Sequence, residues 1–148
     1  MLPLNLPSYP VKIQVQNGKN VIFDPLRRKF VALTPEEWVR QHFTNLLTEV
    51  KGYPKGLLAN EIQLNLNGTK KRCDTVFDKN LQARMTVEYK APHVEITQAV
   101  FDQITRYNMV LKVEYLIVSN GINHYCCRID YTTMKYTFLP DIPAYGEL

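Results

Sequence analysis

Long apolar runs are missing from this chain of 148 residues: no segment approaches the ~20 consecutive apolar residues that a membrane span needs. The start, MLPLNLPSYP, also lacks a basic region followed by a long apolar stretch. Neither a membrane protein nor a secretory leader is expected, and the expected compartment is the cytoplasm. Cysteine is scarce. Cys73, Cys126 and Cys127 have no C-x-x-C spacing and the adjacent pair cannot easily bridge, so neither a zinc site nor a disulfide framework is indicated. No two of His42, His93 and His124 have metal-ligand spacing. A G-x-x-x-x-G-K-[ST] loop is absent, and so is any recognition helix with clustered Arg and Asn that would read base edges. The net charge of +4 is too mild to demand a polyanionic partner, although Arg27-Arg28-Lys29 and Lys70-Lys71-Arg72 would suit one.

What is present is enough apolar content, 45% of the residues, for one ordinary domain with its own core. Three prolines in residues 1 to 10 predict an extended arm with little order. Val11 to Gln16 alternates, Asn17-Gly18 turns, and Asn20 to Asp24 returns, which predicts an N-terminal β-hairpin. A third short apolar run follows at Phe30 to Leu33. Thr34-Pro35-Glu36-Glu37 then reads as a helix start, with Thr34 at the N-cap, Pro35 at the first position and Glu37 closing a capping box. Val39, Phe43, Leu46, Leu47 and Val50 carry the helix to about Val50. On that stripe Glu36 extends the inward face and Glu37 is turned aside.

Glu61 to Leu66 alternates, Asn67-Gly68 turns, and Lys70 to Phe77 and Leu81 to Lys90 complete a three-strand meander. After Ala91-Pro92 a helix from about Glu95 to Leu111 is expected, with Ile96, Ala99, Val100, Gln103, Ile104 and Tyr107 along one side. Glu114 to Ser119 is a continuous apolar run suited to an interior strand covered on both faces. Asn123 to Asp130 and Met134 to Phe138 read as further strands before a proline-bearing tail.

The chemistry concentrates in RCDTVFDKNLQARMTVEYK, residues 72 to 90. A short turn at Asp78-Lys79-Asn80 folds Asp74 back beside Glu88. Strand alternation then puts Thr86, Glu88 and Lys90 on a charged face, and Met85, Val87 and Tyr89 on an apolar one. Two carboxylates and the Tyr89 main-chain carbonyl are hard oxygen ligands for Mg²⁺, and Lys90 would orient a nucleophile or offset an oxyanion. A solvated strand face explains the same residues, since Glu-x-Lys recurs as Glu49-Val50-Lys51 at a helix end.

The order α-β-β-β-α-β with these residues resembles the PD-(D/E)XK nuclease superfamily. More closely, PEEWVR at 35 to 40, the Asp74 strand, VEYKAP at 87 to 92 and Gln103-x-x-x-Tyr107 resemble the N-terminal nuclease domain of type I restriction enzyme R subunits. The resemblance covers about residues 34 to 120; Cys73 stands where the superfamily name has proline. It implies an α/β, restriction-endonuclease-like mixed central sheet flanked by helices: a single domain with residues 1–33 as arm and hairpin, 34–120 as the core, and 121–148 as C-terminal strands and tail.

It further implies a DNA endonuclease dependent on Mg²⁺, with Mn²⁺ expected to substitute. Asp74, Glu88 and the Tyr89 carbonyl would hold the metal, Lys90 would assist the attacking water, and Glu36 would be the helix carboxylate. Gln103 and Tyr107, with Lys70, Lys71 and Arg72, would support DNA contact. The implied partners are DNA, with motor, methylation or specificity subunits from other chains, and a homodimer would suit a double-strand cut. A non-catalytic nucleic-acid-binding or assembly module on the same fold is the competing expectation; it would use the basic clusters for phosphate contacts.

Overall fold

The computed structural model describes residues 3–66, 68–109 and 111–148. Its strands are β1 (Ile13–Gln16), β2 (Lys19–Asp24), β3 (Lys29–Ala32), β4 (Leu58–Leu66), β5 (Thr69–Lys79), β6 (Gln82–Tyr89), β7 (Tyr115–Ser119), β8 (His124–Asp130) and β9 (Lys135–Phe138). The helices are α1 (Pro35–Asn45), which runs on into a π turn at Leu46–Val50, and α2 (Gln98–Met109). Thr34 caps α1 as expected, its hydroxyl accepting from the Glu37 N–H at 3.0 Å. The reciprocal half of the capping box is not formed: the Thr34 N–H donates to the Ala32 carbonyl instead. The Glu37 side chain has other partners, described below.

Strands β4 to β9 form one sheet in chain order, antiparallel throughout except that β6 and β7 run parallel. A parallel neighbour requires a crossover, and α2 supplies it. This is the mixed α/β arrangement that the order α-β-β-β-α-β led one to expect. Val39, Phe43 and Leu47 of α1 pack on Met85, Val87, Tyr89 and Ile117 on one face of the sheet. Phe101 of α2, with Ile104, packs on Leu116, Val118, Cys127 and Ile129 on the other. Strand β7 lies between these layers, all five residues buried, which its unbroken apolar run requires.

Several expectations are corrected. The N-terminal hairpin is a three-stranded sheet, because Phe23 pairs with Phe30 and draws the third apolar run in as β3. The turn of the second hairpin is Asn80-Leu81 rather than 78 to 80. Both residues have positive φ, +54° and +64°, as a two-residue turn matched to strand twist needs. A bulge between Phe77 and Asp78 absorbs the offset. The arm is anchored: Leu4 and Leu6 pack on the core and the Asn5 N–H donates to the Gly121 carbonyl at 2.8 Å. The tail is anchored too, with Ile142 buried and the Tyr53 hydroxyl donating to the Pro143 carbonyl at 2.7 Å. Of the expected Asn67-Gly68 turn, Asn67 lies outside the described residues, as do Met1 and Leu2 of the arm and Val110 near the expected end of α2.

Candidate active site

Strand β5 pairs with β4 from Thr69 to Phe77, with a break at Asp74, but with β6 only from Thr75 opposite Val87 to the turn. Upstream of Thr75 the two strands part. The Tyr89 N–H therefore meets the Asp74 carboxylate rather than a ladder carbonyl, at 2.8 Å from Oδ2. Across the other edge, β4 is irregular at Glu61, which has φ +54° and sits between the pairs Asn60–Thr75 and Ile62–Cys73. A non-glycine residue in that region stores on the order of 1–3 kcal/mol and persists where its surroundings impose it. Asp74 and Glu88 thus flank a point where the sheet splays.

The face carrying Glu88 is not open strand surface. Thr86 is fully buried beneath α2, its hydroxyl donating to Asn108 Oδ1 at 3.2 Å. Glu88 Oε1 is buried without a hydrogen-bond partner. Burial first, and then the negative charge of Asp74, push the Glu88 carboxyl up to about 8, against the pull of Lys71 and Lys90. Lys90, half-buried, is fixed at the end of β6 by its N–H, which donates to the Ser119 carbonyl of β7 at 2.9 Å. Lys71 is 2% exposed, and its ammonium lies 2.9 Å from the centre of the Tyr107 ring. Burial pulls the Lys71 ammonium below the ordinary lysine range, the charges of Glu88 and Asp74 opposing.

Arg40 of α1 organises the other side. Its guanidinium pairs with Glu61, lies 3.7 Å from the Glu37 carboxylate and 3.8 Å from Asp74 Oδ1, and its plane approaches the Tyr89 ring. Burial disfavours ionised Glu61, but the hydrogen bonds and charges of Arg40 and Arg72 outweigh it and hold the carboxyl below the usual range. The expected roles of Glu36 and Glu37 are reversed. Glu36 is exposed, whereas Glu37 is buried, taking Arg27 Nη2 at 2.7 Å and Gln41 Nε2 at 2.9 Å. The reason is Arg27: it reaches across from the β2–β3 loop with Asp24 and draws in the nearer carboxylate. That leaves Arg27 engaged within the protein rather than free for a polyanion.

Other expectations divide in the same way. Lys70 and Arg72 are exposed, with Arg72 paired to Glu61 at 2.6 Å, while Lys71 between them turns inward. The inward stripe of α2 is Phe101, Ile104, Thr105 and Asn108, not the one holding Gln103 and Tyr107. Gln103 is exposed, and Tyr107, 57% exposed, reaches the site only through Lys71. His124 is structural, sitting 2.7 Å from Ser119 Oγ and 2.9 Å from the Asn5 carbonyl. Arg40, Glu61 and Thr75 went unrecognised. Thr75 contacts Tyr89 Oη at 2.9 Å and donates to Asn60, which donates to the buried Asp24. Only Arg40, inside PEEWVR, carried a sequence signal.

The donors fit a hard divalent cation: two abutting carboxylates, one with an orphaned buried oxygen, and the Tyr89 carbonyl following Glu88 in sequence. Among the described residues no group of three or more His, Cys, Asp or Glu side chains forms a metal-holding cluster. The set is two carboxylates and main chain. A six-strand mixed sheet between two helices, with an acidic pair and a lysine where one hairpin splays, makes this a mixed α/β domain. The chain belongs to the type I restriction enzyme R protein N-terminus family, whose model matches residues 35–143. Its fold is similar to a fragment assigned as an HsdR subunit of a type I restriction enzyme from Vibrio vulnificus YJ016, with a TM-score of 0.56 and 22% identity over 78% of this chain. The chain covers 24% of that structure. No curated protein matches the chain.

Proposed function

We propose that this domain is a Mg²⁺-dependent DNA endonuclease whose site is Asp74, Glu88 and Lys90, with the Tyr89 carbonyl as a further metal ligand. The observation that carries this reading is the acidic pair: Glu88 lies against Asp74 with its Oε1 buried and, among the described residues, unbonded, so that both carboxylates ionise together only if a cation offsets them. A Mg²⁺ ion there would lower the pKa of a water and offset charge on the phosphoryl oxygens. Asp74 is oriented by the Tyr89 N–H and by Arg40. Lys90, whose charge acts on Glu88, would orient the attacking water or offset charge on the phosphate. Glu37, in place of Glu36, positions the site through Arg40. Family membership supports a role in a restriction system. Motor, methylation or specificity functions would then come from other chains or other parts of a longer subunit.

Supercoiled plasmid incubated with the protein and Mg²⁺ or Mn²⁺ should be nicked or linearised, and chelator should stop it. Asp74→Ala and Lys90→Ala, folded by circular dichroism, should each lower cutting by about 10²-fold or more. Cutting that persists in both variants, or in chelator, would overturn the assignment.

A further inference from the structure

Lys71 has no part in the metal and water chemistry proposed above, and its burial sets it apart from the phosphate contact expected of it. Its ammonium is almost fully buried, has no hydrogen-bond acceptor, and rests on the face of Tyr107. A buried cation without acceptors is tolerated only where other charges or a π face offset its lost hydration. Here both do: the Tyr107 ring covers it, and Glu88 and Asp74 are the charges that favour it. Glu88 is short of a partner from the opposite side, its Oε1 also unbonded. The lysine and the carboxylates therefore neutralise one another at a distance, without the hydrogen bonds that would lock them together. The cover is also removable. Tyr107 is 57% exposed and lies outside the inward stripe of α2, so its ring can swing away without disturbing Phe101, Thr105 or Asn108.

We propose that Lys71 is a built-in counter-ion of the Glu88–Asp74 pair, held by Tyr107, and that a divalent cation binds the pair in competition with it. This rests on the metal site proposed above. A second positive charge near the carboxylates opposes the incoming ion, so metal occupancy is set against Lys71 and against the ring that retains it.

The test is calorimetric titration of Mn²⁺ into the wild type, Lys71→Met, Tyr107→Leu, Asp74→Ala and, as a charge-matched control on an exposed strand, Lys135→Met. Removing the Lys71 charge should tighten Mn²⁺ binding by about tenfold or more, as expected for one charge lost several ångströms away in a partly screened setting. Tyr107→Leu should tighten it in the same direction, which keeps the proposal testable if Lys71→Met fails to fold. Lys135→Met should stay within about twofold of wild type, the change expected of a distant, screened charge. Binding to Lys71→Met or Tyr107→Leu that is equal to or weaker than wild type, with Asp74→Ala impaired, would overturn the counter-ion role and leave the metal site standing. Absence of Mn²⁺ binding in the wild type and both variants would overturn the metal site and this proposal together.

Discussion

Glu88 is the residue on which the site's electrostatics turn, and its titration has a definite sign. An ordinary glutamate loses its proton near 4.5, whereas burial and Asp74 push folded Glu88 up to about 8. Between those values the folded state binds the proton that the unfolded state has released, so stability falls as pH rises, by at most about 1.4 kcal/mol per pH unit. Lys71 adds little slope there, because its ammonium is mainly protonated in both states until pH nears 8. Urea denaturation at pH 5.5 and 7.5 should show the wild type losing stability that Glu88→Gln, neutral throughout, retains. An equal loss in both would refute the assignment. At this scale the nearness of Asp74 to Glu88 was legible, since a short hairpin turn folds one strand back on the other even with its position shifted to Asn80-Leu81. The exchange of Glu36 for Glu37 was not, because helical spacing says which way a side chain starts and not which cation, here Arg27, waits for it. Arg40→Met tests that network. It removes the cation shared by Glu37, Glu61 and Asp74, leaving Glu37 to Arg27 and Glu61 to Arg72, and should cost about 1.5–3 kcal/mol in urea denaturation, as loss of a hydrogen bond to a charged group does.

The elements were read more securely in kind than in detail. Alternation, Asn-Gly turns and the Thr34-Pro35 start located the strands and α1, since each rests on a local rule. The inward face of α2 was misread because Ile96, Ala99, Val100, Gln103 and Tyr107 set the phase of the stripe and left out Phe101, which is the buried anchor. Thr105 and Asn108 complete it by satisfying their polar groups within the helix and against Thr86. The turn of the β5–β6 hairpin carries a prediction of its own. Leu81 is fully exposed at φ +64°, so it contributes no burial and bears the cost of a left-handed backbone. Leu81→Gly should raise stability by about 1 kcal/mol without altering metal binding. Thermal denaturation with and without Mn²⁺ checks both parts, and a lower Tm would mean that the turn is not as described.

For the whole molecule the unexpected feature is that both ends of the chain close over the α1 side of the sheet. Prolines suggested a loose arm; what holds it is Leu4 and Leu6 meeting a core that composition alone does not locate, and Ile142 holds the tail in the same way. Tyr53 is one polar anchor of the tail, beside Lys51, which pairs with Asp141 and whose carbonyl accepts from the Tyr145 N–H, and the Tyr53 ring also packs edge-on to Phe77. Tyr53→Phe keeps the packing and removes the bond to Pro143, so it should cost about 1 kcal/mol, and more if the carbonyl is left unpaired. Limited proteolysis should release the C-terminal residues sooner in that variant, and unchanged cleavage would show that the Pro143 bond is not what retains the tail.

The arm's dock has a consequence for how the protein is made. Asn5 is bound by Gly121 and His124, residues 116 to 119 positions later in the chain. At a synthesis rate of roughly 5–20 residues per second, the arm waits on the order of ten seconds for its partners to be made. Asp74 and Glu88 emerge in the interval, ahead of β7 and β8, which complete the sheet around them. A nascent chain halted after β6 holds both carboxylates but not the strand that fixes Lys90, so the site matures only when the last third of the domain has left the ribosome.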